Sequence, residues 1–290
     1  MSDKAEIYIG TSGWSYPRGE GTWKGYFYPS GKINELEYYS QFFNTVEVNS
    51  SFYHPPDPVY VQNWVRRTPD GFLFTVKLWQ KFTHPRMYKD ATGEDAVISL
   101  EDVDLFRRSL EPLGMADKLG ALLAQFPPGF KNDSFGRQII SAVSRTFGRY
   151  RLAVELRHKS WSDDPETETL LRETGAAWVQ IDEPKFASSI AGELPLTSDM
   201  AYFRFHGRNK ETWWSGDNET RYKYLYSPDE ISELAEKVKS AAVQTKLLFV
   251  HFNNHWQAYA PRNANDLKKV LQVPFGVDLP KSIEENNKLI

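Results

Sequence analysis

The stretch TVEVNSSFY, residues 45–53, alternates without a break. Val46 and Val48 fall on one side of an extended chain, and Thr45, Glu47, Asn49 and Ser51 on the other. A surface strand shows the same alternation with its polar side in water. Three later segments argue for a different setting. RLAVELR (151–157), AYFRFHG (201–207) and FVHFNN (249–254) each place charged or amide groups at the C-terminal end of a very apolar run. Polar groups that recur at one end of successive buried strands point to a shared site at one mouth of a barrel.

Strand-like patterns occupy residues 7–10, 45–51, 72–78, 120–126, 151–157, 176–182, 201–207 and 247–253. Between them, helical spacing covers 34–43, 59–67, 101–110, 135–147, 164–173, 228–242 and 263–271. Alternation of this kind gives an α/β fold with a parallel sheet, and eight units close into a TIM (β/α)8 barrel. No linker rich in Gly, Pro or Ser divides the chain, so residues 1–290 read as a single TIM-barrel domain. An open doubly wound sheet is the alternative, but no GxGxxG follows the first strand. Three local expectations follow. FTHPRM (82–87) opens a loop, Pro112 ends the helix over 101–110, and the tail SIEENNKLI (282–290) frays in part.

Composition narrows the functional classes. The chain has 290 residues, 40% of them hydrophobic and 25% charged, as a globular protein requires. Its net charge of -3 gives no global pull toward nucleic acid or an acidic membrane, leaving only a local basic patch. The absence of cysteine excludes disulfides, thiolate nucleophiles and cysteine-bound zinc. MSDKAEIYIG is charged and runs straight into a strand, so no signal peptide is expected, and no apolar run spans a bilayer. A cytoplasmic protein with no membrane partner is the expectation. The aromatic content is 14%, with nine tryptophans, many of them in predicted loops. The long loop over 11–31, with glycines among Trp14, Tyr16, Trp23, Tyr26, Phe27 and Tyr28, reads as a functional loop or lid.

Several motifs recur in order along almost the whole chain: GTSGWSY, W-x-G-x-FYP (23–29), VEVNSSFY, W-x3-TP-x-GF-x-F-x-VK (64–77), Thr83-His84, QFPP, ELRHKSW, RFHG, and FNN followed by APRNA. Together they resemble the family catalogued as domain of unknown function 72, also called YecE-like. The resemblance implies a TIM barrel and supplies no reaction.

The groups that could carry chemistry sit at predicted strand ends. Glu47, Glu155, His206 and Lys77 form the catalytic set. Ser12, Trp14, Asn49, Tyr53, Gln125, Arg157, Asp182, Arg204, Asn253 and Asn254 form the binding set. A buried ionic network that merely fills the barrel is the competing reading. Glu47 and Glu155 are acid–base candidates, as a pair of carboxylates on a glycosidic bond would be. Lys77 could form a Schiff base if desolvated, but neighbouring Glu47 is expected to keep it charged. Glu155, Asp182 and His206 are a thin ligand set for a divalent metal, and His251 and His255 a weak one, so no cofactor is expected and a divalent metal stays possible. Gly207 beside His206 suggests a ligand close to the backbone.

Phosphate in TIM barrels favours the loops after strands seven and eight, where Arg204, His206, Arg208, Asn209, Asn253, Asn254 and Arg262 lie. Trp14, Tyr53, Trp161, Trp213, Trp214, Trp256 and Tyr259 could stack on a sugar or base, or seal the barrel. The leading expectation is a hydrolase- or lyase-type enzyme acting on a phosphate-bearing small molecule or nucleic-acid component. The alternatives are a metal-dependent nuclease or isomerase, and a non-catalytic nucleic-acid- or ligand-binding protein.

Overall fold

In a computed structural model, residues 5–215, 217, 220–277 and 279 are described. Parallel strands run β1 (Glu6–Ser12), β2 (Thr45–Val48), β3 (Leu73–Lys77), β4 (Leu119–Gln125), β5 (Leu152–Glu155), β6 (Ala177–Trp178), β7 (Gln180–Asp182), β8 (Met200–Phe205) and β9 (Leu247–Phe252). Their order in the sheet is β6-β5-β4-β3-β2-β1-β9-β8-β7. The two edge strands are halves of one extended segment, separated only by Val179. β6 pairs with β5, and β7 pairs with β8. The Val179 N–H donates to the Val154 carbonyl at 3.0 Å, so the barrel closes through continuous chain. The eight predicted strands are therefore present, the sixth bent in two, and an open sheet is excluded.

The helices are α1 (Glu35–Tyr39), α2 (Pro58–Arg66), α3 (Gln80–Thr83), α4 (Pro85–Thr92), α5 (Leu100–Met115), α6 (Ser134–Phe147), α7 (Lys159–Ser162), α8 (Glu166–Glu173), α9 (Pro228–Ala242) and α10 (Tyr259–Leu271). Local chemistry sets their starts. Ser99 with Asp102 and Ser227 with Glu230 form reciprocal capping boxes for α5 and α9, and Pro228 occupies the first turn of α9, where no N–H is needed. Two expectations fail here. FTHPRM is helical, crossing from α3 into α4, with Pro85 in the first turn of α4. Pro112 lies inside α5, whose last turn is held on the core by the buried side chains of Leu110 and Leu113. The tail over 282–290 lies outside the described residues.

The sixth strand returns to β8 through residues 183–199 without a helix. That leaves an outer groove of about 560 Å³ over Phe203, Phe205 and Leu234, on the far side of the sheet from the barrel axis. The first loop is built into the body. Trp23 is fully buried and its indole N–H donates to the His255 carbonyl at 2.6 Å, tying the loop after β1 to the loop after β9. Among the described residues no helix is long and apolar enough to cross a membrane.

Candidate active site

Strand register decides which side chains enter the barrel. Ser12 lies opposite Glu47, Glu47 opposite Thr75, Gln125 opposite Glu155, and Arg204 opposite His251. With a period of two, Arg204 faces inward, Phe205 outward, and His206 inward again. The inward set meets at the C-terminal mouth. Arg204 grips Glu47 with both forks, Nε to Oε2 at 2.9 Å and Nη2 to Oε1 at 2.6 Å. Its Nη1 donates to Glu155 Oε2 at 2.5 Å and to Gln125 Oε1 at 3.1 Å. Tyr202 donates a further hydrogen bond to Glu47 at 2.8 Å. Glu47 and Glu155 are 0% exposed and Arg204 2%.

A second layer sits above this floor. Arg157, just beyond β5, donates from Nε to Glu155 Oε1 at 2.6 Å and reaches His206 Nε2 at 3.1 Å through Nη2. Arginine can only donate, so His206 Nε2 accepts and its proton sits on Nδ1. The Asn253 amide nitrogen stands 2.9 Å from Nδ1, so a proton on Nδ1 requires the Asn253 amide turned over to bring its oxygen there as the acceptor. Burial pushes the imidazole well below its ordinary pKa, and Arg157 and Arg204 push the same way, so His206 is neutral. Its lone pair is already taken, which leaves it an orienting group for Arg157.

The carboxyl groups are driven apart. Burial alone would raise Glu155, but Arg204 and then Arg157 hold it well below the usual carboxylate range. Glu47 is likewise held down by Arg204 against the opposing effect of burial. Glu183 behaves oppositely: burial pushes its carboxyl up despite the pull of Arg157, whose Nη1 lies 3.4 Å from Oε2. That Oε2 has no hydrogen-bond partner among the described residues. Glu183 lines a narrow cleft together with Pro128, Arg157, Ser189, Trp213 and Trp214.

Lys77 ends β3 in phase with inward Thr75, half-buried, with its ammonium 3.8 Å above the centre of the Phe52 ring. No carboxylate of the described residues lies within ion-pair distance of it. Glu47 is engaged by Arg204 and Tyr202 and makes no ion pair with Lys77, although its charge still favours the ammonium from a distance. Desolvation, reinforced by Arg204, pushes Lys77 down to about 7.

Several other candidates stand elsewhere. Asp182 lies opposite Phe205 and so points outward, where Arg208 and Tyr226 hold it. The Glu155–Asp182–His206 ligand set therefore does not converge. Among the described residues, no group of three His, Asp or Glu is arranged for a metal. Asn254 also points outward, donating to the Tyr224 carbonyl and to Asn263. Arg208 is engaged by Asp182, Glu230 and Glu233, and Asn209 ties its own loop together. Of the anion site expected in the loops after strands seven and eight, Arg204, Arg208 and Asn209 are thus already paired, whereas Arg262 Nη1 is buried without a hydrogen-bond partner among the described residues.

Trp14 rests edge-on against Trp64 beside α2, and Tyr53 is 59% exposed on the rim. Trp161 is buried, its indole N–H bonded to the Phe130 carbonyl. Ser12 keeps its inward position, with an unpartnered buried hydroxyl, whereas Asn49 lies past the end of β2 at the start of the helical turn over Ser50–Phe52. Gly207 has φ +87°, and a Cβ there would lie 2.6 Å from Tyr224 Cβ. Tyr224 occupies the space attributed to a ligand. Gly207→Ala is expected to destabilise the fold by at least about 1 kcal/mol, read from denaturant midpoints.

Glu183 is the residue that sequence reasoning missed. Counting alternation from Ala177, which lies opposite inward Ala153, puts Val179, Ile181 and Glu183 inside and Asp182 outside. That count is available from sequence once the phase of Ala177 is known.

A closed parallel barrel with charged side chains gathered at the C-terminal ends of its strands defines a TIM-type (β/α)8 protein. The chain belongs to the DUF72 family, described as "protein of unknown function DUF72", whose profile matches residues 8–285. It is 31% identical to the UPF0759 protein YunF of Bacillus subtilis over 291 aligned positions, covering 96% of this chain and 99% of the relative. A DUF72 protein of Thermotoga maritima superposes with a TM-score of 0.79 at 38% identity, covering 92% of this chain and 99% of the other. Another, from Enterococcus faecalis, superposes at 0.81 with 26% identity, covering 95% and 98%.

Proposed function

We propose that the barrel mouth is the active site of a hydrolase- or lyase-type enzyme that acts on a small, phosphate-bearing molecule, with Arg157 as anion anchor and Glu183 as proton donor. One observation carries the reading: Glu183 lines the cleft beside Arg157, and its buried Oε2 makes no hydrogen bond, meeting Arg157 Nη1 only as a loose ion pair at 3.4 Å. A network built for stability alone would be expected to close that gap into a hydrogen bond. Two carboxyl groups on one arginine, one held ionised and one raised by burial, separate the roles of charge stabiliser and acid. Glu155 takes the first role and Glu183 the second. Glu47, locked under Arg204, supports the floor. Trp213 and Trp214 give the substrate a flat apolar wall.

The test is protection by ligand. Phosphate added at constant ionic strength should raise the thermal midpoint with the logarithm of its concentration, as mass action requires. Arg157→Gln should abolish that rise. A wild-type protein indifferent to phosphate, sulfate and simple sugar phosphates would remove the anion-binding reading.

A further inference from the structure

We propose that Lys77 is an amine nucleophile that condenses with a small aldehyde or ketone, so that the mouth works through a protein-bound imine. This deepens the lyase-type reading of the same site and rests on it. The geometry has four parts. Lys77 is the last residue of β3, in phase with inward Thr75 and half-buried at the C-terminal end of the barrel. Its ammonium lies over the face of Phe52, a cation–π contact that favours the charged form, yet no carboxylate of the described residues stands within ion-pair distance to hold that charge. The acid across the register from Thr75, Glu47, is turned away by the two-pronged grip of Arg204. The Lys77 carbonyl is pinned by the Ser51 hydroxyl at 2.7 Å, so the strand end that carries the amine is fixed.

An ordinary lysine is protonated at neutral pH and cannot attack a carbonyl. Here desolvation and the guanidinium of Arg204 bring the amine to about 7, with Glu155 and Glu47 pulling the other way and Arg157 adding to the push. His84, packed edge-on against Phe52, is itself held neutral and adds no positive charge. A large fraction of the amine is therefore free at neutral pH, the condition for a catalytic lysine.

The step balances without any oxidant, reductant or further reactant. The free amine forms a C–N bond to the carbonyl carbon, and its extra proton passes to the oxygen. The carbinolamine oxygen then takes a second proton, from the Glu183 carboxyl, and leaves as water, giving a protonated imine and the Glu183 carboxylate. Overall one free amine, one carbonyl and one proton give one iminium and one water. The iminium withdraws electrons from the adjacent carbon, which is what lyase chemistry at a C–C or C–O bond needs. Arg157 would hold an anionic tail of the substrate, and Glu183 would return a proton to the product.

Trapping tests this directly on the full chain. Glycolaldehyde and glycolaldehyde phosphate, each with cyanoborohydride, convert imines to stable secondary amines that peptide mass mapping locates. Lys77 is expected to be labelled at least tenfold faster at pH 7 than exposed lysines such as Lys24 and Lys246. Its rate should level off above about pH 7, whereas the exposed lysines keep accelerating. Labelling of Lys77 no faster than of the exposed set, or with their pH profile, overturns the proposal. The parent reading fails separately. If phosphate protects the fold but Lys77 is not trapped, the anion site stands and the imine falls. If glycolaldehyde traps Lys77 as fast as its phosphate and phosphate gives no protection, the imine stands with an uncharged substrate. Lys77→Met serves as a blank for the mapped peptide, and the decisive comparison between lysines is made within the wild-type protein.

Discussion

Arg204→Ala is expected to lower the thermal midpoint at pH 7 by on the order of 10 °C, the equivalent of about 3–5 kcal/mol for a buried ion pair that loses one partner. If the mouth is a strained working site, truncating Arg204 should change stability little. Its surroundings argue the other way. Arg204 donates four hydrogen bonds, to Glu47 twice, to Glu155 and to Gln125. Removing it leaves two carboxylates with no access to water and only Tyr202, Arg157 and His206 nearby. The destabilisation should shrink in the background of Glu47→Gln, because one of the two stranded charges is then absent. Denaturant or thermal unfolding of the four proteins in that cycle measures the coupling. Equal losses in both backgrounds would mean that Arg204 acts through packing, not charge. The buried charges thus form two layers: Arg204, Glu47 and Glu155 make the floor, and Arg157 joins that floor to His206 and Glu183 above it.

This layering explains what the sequence discloses and what it conceals. The barrel is legible because hydrophobic alternation and helical spacing are local properties, repeated eight times, and one end of each strand is marked by polar groups. The inward positions of Glu47, Lys77, Gln125, Glu155, Arg204 and Asn253 follow from that alternation. Two kinds of information are absent from it. The first is phase at the ends of strands. Asp182 and Asn254 are one residue away from inward positions, and a slip of one residue turns a side chain through the sheet. The second is which partner a charge chooses. Glu47 neighbours Lys77 across one strand register, yet it binds Arg204 from across the barrel, because a guanidinium offers two parallel donors and an ammonium does not. That choice frees the lysine, and nothing in the spacing of residues 47 and 77 records it. The loop arginine Arg208 is the same lesson reversed: three carboxylates from β7 and α9 converge on it in space alone.

Acid should unfold this protein in two stages, the first driven by histidines well before the carboxylates titrate. His206, His251 and His84 are all buried. Burial pushes His251 down to about 4 and His84 down to about 3, and holds His206 well below 6.5. The sign follows from linkage. Each histidine takes up a proton near pH 6.5 when unfolded and stays neutral when folded. The unfolded state therefore gains protons as pH falls, and stability drops with it. Each such group contributes about 1.4 kcal/mol per pH unit, so three give up to roughly 4 kcal/mol per unit between pH 6 and 5, less the opposite contribution of Glu183, whose raised carboxyl takes up its proton more readily folded than unfolded. That is a large fraction of the roughly 5–15 kcal/mol that holds a domain folded. Below about pH 4.5 the second stage begins: Glu47 and Glu155 stabilise the fold above their unfolded pKa and lose that contribution as pH falls toward their depressed folded values. The measurement is chemical denaturation at half-unit steps from pH 8 to 4. The slope of ΔG against pH gives the number of protons taken up on unfolding. His251 sits between Thr45 and Thr75 in the lumen at long contact distances of 3.4 and 3.5 Å, so His251→Phe removes one titrating group with little polar loss. Its slope should fall by about one proton. A flat profile from pH 7 to 5 in the wild type would show that these imidazoles are protonated in the folded barrel, and the neutral His206 that orients Arg157 would go with them.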